Sequence, residues 1–313
     1  MRRPRYAAAS QFRGPAAARP SSDKLGAYSV LVWEFRILDG LTLGGLLFVV
    51  ASGFTLALGV MKIVNIAHGA LYLLASYIAW SLFQHYGFFV AIAGAAFSAA
   101  LLGLAIQQTV LRKLYLQPLP QILATMGAAL IIAEFGIIGW GGYPRVMSEP
   151  GWLSGATNIR GNLFYPTYRL FIVGVAAVVA VFLWVLLERT RVGGLIRACV
   201  DDEEMARGMG VRVPTVYAGV FVLSSFLAGL AGGIGAPFLG AYQGAQFDIL
   251  LLALIVVVVG GLGSISGAFI ASMLVGILDS VGKSLFPSLA YFTLFAPMIL
   301  ILIVRPTGLR GRA

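Results

Sequence analysis

The stretch that decides the fold is residues 194–212, Gly-Leu-Ile-Arg-Ala-Cys-Val-Asp-Asp-Glu-Glu-Met-Ala-Arg-Gly-Met-Gly-Val-Arg. Arg197, Asp201, Asp202, Glu203, Glu204, Arg207 and Arg212 crowd into it, although the chain as a whole is 59% hydrophobic and only 11% charged. Soluble domains carry about 25% charged residues. So many ionised groups cannot sit in hydrocarbon. Apolar segments long enough to cross a bilayer flank the run on both sides, at about 170–187 and 215–236. The run is therefore water-exposed chain between two membrane crossings, and a helix there is well placed to meet a soluble partner.

Working outward, further apolar segments occur at about 41–60, 70–83, 88–110, 121–139, 248–262, 266–281 and 290–304. Together they predict an all-α, polytopic transmembrane helix bundle of about eight to nine spans. The alternating ten-residue segments of a membrane β-barrel are missing. The 39 glycines suit helices whose backbones approach closely. The single cysteine, Cys199, excludes an intramolecular disulfide and a CxxC metal site, and two histidines, His68 and His85, are too few for a His-rich metal site. No metal ligand set is expected. The net charge of +10 gathers at the chain ends and in loops beside spans, which reads as membrane topology rather than nucleic-acid binding.

The composition divides the chain into a basic, Pro- and Ala-rich N-terminal tail over 1–39, expected to be disordered, a membrane domain over 40–305 that includes the loop 188–212, and a short C-terminal tail over 306–313. The tail lacks the apolar region of a signal peptide. Arg112 and Lys113, the arginines of loop 188–212, and Arg305, Arg310 and Arg312 mark one side of the membrane, the cytoplasm by the positive-inside rule. Three crossings then precede Arg112, which puts the basic tail outside unless an early segment is re-entrant. Both arrangements remain open at this point.

Residues 61–69, Met-Lys-Ile-Val-Asn-Ile-Ala-His-Gly, interrupt the apolar pattern between two spans. Non-helical backbone at membrane depth survives only inside protein or beside a water-filled cavity, so a broken helix near a transport path is expected here. Asn65 reads as a cap or break stabiliser, Gly69 follows the break, and His68 is either a path residue or a hydrogen-bonded structural one. Glu134 falls inside a span, where an ionisable group is a functional candidate by default. It faces the path, pairs with a cation such as Lys62, or stays protonated as a structural group. In the charged run, Asp202, Ala206 and Gly210 are spaced by four and share one helical face, with small residues where a partner would approach. Gly210 and Pro214 would end that helix, and a merely solvated loop helix is the competing reading. Gly229 with Gly233, and Gly263 with Gly267, carry the GxxxG spacing of helix packing.

Four stretches, taken in order, resemble the permease subunits of branched-chain amino acid ABC importers. Arg197-Ala198-Cys199 with Asp202, Ala206 and Gly210-Val211 resembles that family's cytoplasmic coupling loop. Asn65-Ile66-Ala67-His68-Gly69 is similar to its N-[FLI]-A-H-G signature. Leu123-Ala124-Thr125-Met126-Gly127 is similar to another of its segments. Residues 260–268, Gly-Gly-Leu-Gly-Ser-Ile-Ser-Gly-Ala, resemble its G-G-[IL]-G-S-x-x-G-A motif. Glu134 departs from the amide more often found there, Leu252 from a lysine and Asp279 from a glutamate. The resemblance implies a multi-pass protein of the bacterial cytoplasmic (inner) membrane, with its N-terminus outside. It implies a second related permease, two cytoplasmic ABC ATPases docked on the coupling loops, and a periplasmic or lipid-anchored substrate-binding protein. This chain has no GxxxxGK[ST] loop, so ATP and Mg are expected on the ATPases, and no cofactor and no enzyme site are expected here. The expected cargo is a branched-chain amino acid, with another small amino acid, urea or an amide as the alternative. A channel or intramembrane enzyme is the remaining class, for which His68 with Glu134 is the one plausible dyad.

Overall fold

The computed structural model describes residues 22–62, 64–115, 117–161 and 163–310. The first part of the expected tail, up to residue 21, lies outside them. Eleven α-helices are described: α1 (Ser22–Met61), α2 (Ala67–Tyr86), α3 (Phe88–Thr109), α4 (Pro118–Trp140), α5 (Thr167–Arg189), α6 (Arg191–Asp201), α7 (Glu203–Gly208), α8 (Val213–Leu239), α9 (Ala245–Gly260), α10 (Ile265–Leu285) and α11 (Ala290–Val304). A small antiparallel hairpin, β1 (Ala156–Arg160) and β2 (Leu163–Pro166), sits in the connection from α4 to α5. Residues 22–39, expected as disordered tail, are helical because the helix-breaking prolines stop at Pro20.

Every apolar segment of the sequence forms a helix, but only six described helices are long and apolar enough to cross a membrane, against the eight to nine expected. The difference is physical. α9 has 16 residues and α11 has 15, which at 1.5 Å per residue rise only about 22–24 Å against a hydrocarbon core near 30 Å. α2 has 20 residues but carries His68, Ser76, Gln84 and His85.

α1 is the spine. Its segment from Leu46 to Ala51 is fully buried, and it packs on α10, α8, α5 and α9. Glycine makes the α1–α10 contact possible: a Cβ added at Gly40 would lie 2.6 Å from Ile277 Cα. α8 is the second hub, packed on α3, α2 and α1. α4 and α5 are peripheral. They leave Leu130, Ile131 and Phe135, and Val178, Val181 and Phe182, exposed as a bilayer or a partner would require.

Candidate functional site

The charged run is two short helices rather than one. Thr190 caps α6 by accepting a hydrogen bond from Gly193 N at 3.3 Å. α6 stops at Asp201, and Asp202 takes an extended conformation (φ −152°, ψ 103°) and caps α7, its Oδ1 accepting from Met205 N at 2.9 Å. A short carboxylate that can cap an amide competes with continued helix. This corrects the single helical face expected for Asp202, Ala206 and Gly210. Asp202 is a cap, Ala206 is buried at 3% exposure, and Gly210 lies beyond the end of α7 with φ +85°. Among the exposed residues of the run, which include Asp201, Glu204 and Arg207, the two most exposed large apolar ones are Met205, 62% exposed, and Met209, 79% exposed. Arg197 turns the other way: it donates to Leu187 O and lies 3.7 Å from Glu188, closing the end of α5. Ala198 is exposed on α6.

Glu203, the first residue of α7, fastens this loop to the bundle. Its Oε2 accepts from Tyr217 Oη on α8 at 3.0 Å. Its Oε1 accepts from Tyr115 Oη, just past α3, and from Arg207 Nη2 at 2.6 Å. Burial alone would raise the Glu203 pKa, but these donors outweigh it and hold the carboxyl below the usual carboxylate range. Beneath the loop lies a cavity of about 840 Å³, lined by Lys62, Gln107, Arg112, Gln121 and Glu203 among others. Gln107 is buried there, and its Oε1 has no hydrogen-bond partner among the described residues.

The connection from α1 to α2 meets the same cavity through Met61 and Lys62. Lys62 has φ +55°, the left-handed region that a lysine rarely adopts. The freed backbone amides find side-chain acceptors: Ile66 N donates to Thr125 Oγ1 on α4 at 3.3 Å, and Ala67 N donates to Asn65 Oδ1 at 3.1 Å. α2 then starts beside the middle of α1. His68 Nε2 lies 3.0 Å from Val50 O, about 16 Å up α1 from its end at Met61. A carbonyl only accepts, so Nε2 carries the proton and Nδ1 is the acceptor facing Ser224 Oγ at 3.5 Å. His68 is fully buried and ties α1, α2 and α8 together. Gly69 lies against α9; a Cβ there would be 2.1 Å from Gln246 O. Glu134 is not part of this cluster. It is exposed on α4, with no hydrogen bond or ion pair among the described residues, so the His68–Glu134 dyad is not assembled.

The glycine pairs sit at backbone contacts. A Cβ on Gly229 would lie 2.7 Å from Ala95 O on α3, and one on Gly233 would lie 3.2 Å from Ile92 Cα. Gly267 is tighter, with Gly260 O at 2.0 Å, while Gly263 (φ +77°) abuts Gly59 Cα at 3.2 Å.

A family model described as the permease component of the branched-chain amino acid transport system matches residues 36–304. The chain belongs to this family. It is 27% identical over 303 residues to the high-affinity branched-chain amino acid transport system permease protein LivH of Escherichia coli K12, covering 88% of this chain and 95% of that one. It is 28% identical to the probable branched-chain amino acid transport permease protein LivH of Methanocaldococcus jannaschii, covering 89% and 93%. Among solved structures, PsaBC from Streptococcus pneumoniae in complex with Fab matches with a TM-score of 0.54 at 14% identity, over 90% of this chain and 97% of that chain. At that identity the likeness is one of fold. Family membership and six helices able to span a membrane make the protein a multi-pass transport permease.

For a permease, the informative residues that sequence reasoning passed over are Tyr115, Glu203 and Tyr217. Glu203 was visible only as one charge among several, and Tyr115 as an ordinary aromatic beside the end of a span. Nothing local signals that three residues from α7, α8 and the end of α3 meet.

Proposed function

We propose that this chain is the membrane-spanning permease subunit of an ABC importer for branched-chain amino acids in the bacterial cytoplasmic membrane. It would work with a second related permease, two cytoplasmic ATPases that hold ATP and Mg, and a substrate-binding protein outside. The observation that carries the reading is likeness to the LivH permeases along nearly their whole length. The geometry of the loop supports it. Met205 and Met209 offer two adaptable apolar side chains to a soluble subunit. Behind them Glu203 links α7 to Tyr217 on α8 and to Tyr115 at the end of α3. A displacement of α7 by an ATPase is thus carried first into α8, the helix that touches α1, α2 and α3. Alternating access then follows from movement of packed helices about the α1–α2 connection, which needs no covalent chemistry in this chain.

The test is co-purification of the native assembly in mild detergent, with ATP hydrolysis and leucine uptake measured in proteoliposomes. The native chain should bring down ATPase subunits and support ATP-dependent uptake. Met205→Glu combined with Met209→Glu should lose the ATPase subunits while the chain stays folded in the membrane. Recovery of the permease without any ATPase, or uptake that ignores ATP, would overturn the proposal.

A further inference from the structure

A second cavity, of about 1020 Å³, opens between α1, α5, α6 and α10, whereas α3, α4 and α8 contribute to the first; Val60 and Val200 line both. The two parts of the second cavity differ in chemistry. The deep part is apolar, walled by Phe48, Leu56, Phe269 and Ile270. α5 and α10 touch only sparsely beside it. Its walls run into the exposed faces of both helices, with Phe182 at 50% exposure and Ile270 at 41%. The mouth is cationic: Arg189, Arg197 and Arg310 line it against a single acid, Glu188. Arg189 also stacks over Trp184 at 5.4 Å, an aromatic at the height where a membrane meets water.

Two further features bear on what the cavity accepts. The first is the N-terminus of α10. The sequence Gly261-Leu262-Gly263-Ser264 turns the chain from α9 into α10; Ser264 Oγ accepts from Gly267 N at 3.1 Å, and the amides of Ile265 and Ser266 that open α10 lie at the cavity wall. The positive end of a helix favours negative charge. Arg310 is held beside it by backbone bonds of the C-terminal segment, Leu309 N to Val259 O at 2.8 Å and Arg310 N to Gly260 O at 3.1 Å. The second feature is Thr55. It is fully buried, lines the cavity, and its Oγ1 has no hydrogen-bond partner among the described residues. An orphan buried hydroxyl of this kind calls for a polar occupant. Gly59 abuts Gly263 at the entry to α10, so Thr55 lies about 6 Å deeper, one helical turn along α1.

We infer that this groove binds an anionic phospholipid. The phosphate sits among Arg189, Arg310 and the amides that open α10. The Thr55 hydroxyl meets the ester groups one turn deeper, and an acyl chain follows Phe48, Phe269 and Ile270 outward. Basic pockets between membrane helices on the cytoplasmic side hold acidic head groups by the same physics. The lipid fills a gap between α5, which leads into the cytoplasmic loop, and the α1–α10 pair, so it stiffens the support from which α6 and α7 hang. The inference does not depend on what the permease transports.

The test uses the full chain in detergent, titrated with phosphatidylglycerol, phosphatidylcholine or inorganic phosphate and read by native mass spectrometry. Phosphatidylglycerol should bind at one copy with at least tenfold preference over phosphatidylcholine. Arg189→Gln with Arg310→Gln should remove that preference, and Thr55→Val should weaken binding several-fold. In vesicles, brominated phosphatidylglycerol should quench a fluorescence component that disappears in Trp184→Phe. Equal binding of the two lipids by the native chain overturns the inference, whatever the variants do. Displacement of the lipid by phosphate alone would mark a free-anion site instead, and unquenched Trp184 would mean that a protein covers the groove.

Discussion

The hydroxyl of Tyr217 is the most direct handle on how the cytoplasmic loop is held. Tyr217→Phe removes one oxygen and nothing else. The ring keeps its buried place on α8, and Glu203 keeps Tyr115 and Arg207 as donors. What is lost is a 3.0 Å hydrogen bond to an ionised carboxylate, worth about 1.5–3 kcal/mol. If that bond forms only when the loop is docked, the undocked fraction rises roughly 10- to 150-fold. The single cysteine reports this directly. Cys199 lies on α6 at 3% exposure, and burial, followed by the Glu203 carboxylate, pushes its thiol pKa up. Maleimide therefore reaches it only through loop opening, and in the regime of fast reclosing the labelling rate tracks the open population. Phenylalanine is the right substitution because it leaves the Glu203 charge, and so the thiol's electrostatic surroundings, in place. Tyr217→Phe should label at least tenfold faster than the native chain under identical conditions, while both chains remain folded at the labelling temperature. An unchanged rate would refute the claim that Glu203 fastens the loop.

Three further outcomes follow from the same geometry. The Glu203 pKa is lowered in the folded state, so its stabilisation is complete above the unfolded value of about 4.3 and is lost as pH falls through the lower folded value. The stability difference between the native chain and Tyr217→Phe should accordingly hold from pH 7 to pH 5 and shrink below about pH 4 in thermal unfolding; a difference that shrinks between pH 7 and pH 5 contradicts the assignment. Gly267→Val places its Cβ 2.0 Å from a backbone oxygen and should abolish folded protein in size-exclusion profiles, whereas Gly174→Ala, with nothing within 4 Å, should change the melting temperature by only a few degrees. Glu134→Leu should leave expression and melting unharmed or improved, because an exposed carboxyl on a membrane helix costs about 2.5–3.5 kcal/mol where it faces lipid; collapse of expression would show instead that Glu134 is an internal structural group.

How far the sequence could be read follows from what a bilayer demands. Hydrocarbon excludes charge, so apolar runs and charged breaks show where helices are and where water is, and each of the nine apolar runs is helical. Facing is another matter. α4 is apolar on nearly every side: Leu123, Leu130, Ile131, Phe135 and Ile138 are exposed, while Ala129 and Ile132 are buried. Such a helix has no periodic stripe from which to tell the buried face, so the sequence could place Glu134 at mid-span but not on the outer side of α4. The charged run misleads for a different reason. α6 buries a stripe of Gly193, Ile196 and Cys199, but the helix breaks at Asp202, so that phase does not carry on to Ala206. The break is set locally by the Asp202 cap, and the docking of α7 by contacts distant in sequence, above all Tyr115 with Glu203, 88 positions apart. Amphipathic contrast carries facing information, and α4, apolar on nearly every side, has little of it. A membrane helix that packs against a partner must stay apolar on its outer face, and a cytoplasmic helix that docks on one must stay soluble until it does. Glu134 on the first and Met205 on the second are each the wrong polarity for the solvent they face alone. That mismatch is visible only once the helices are oriented.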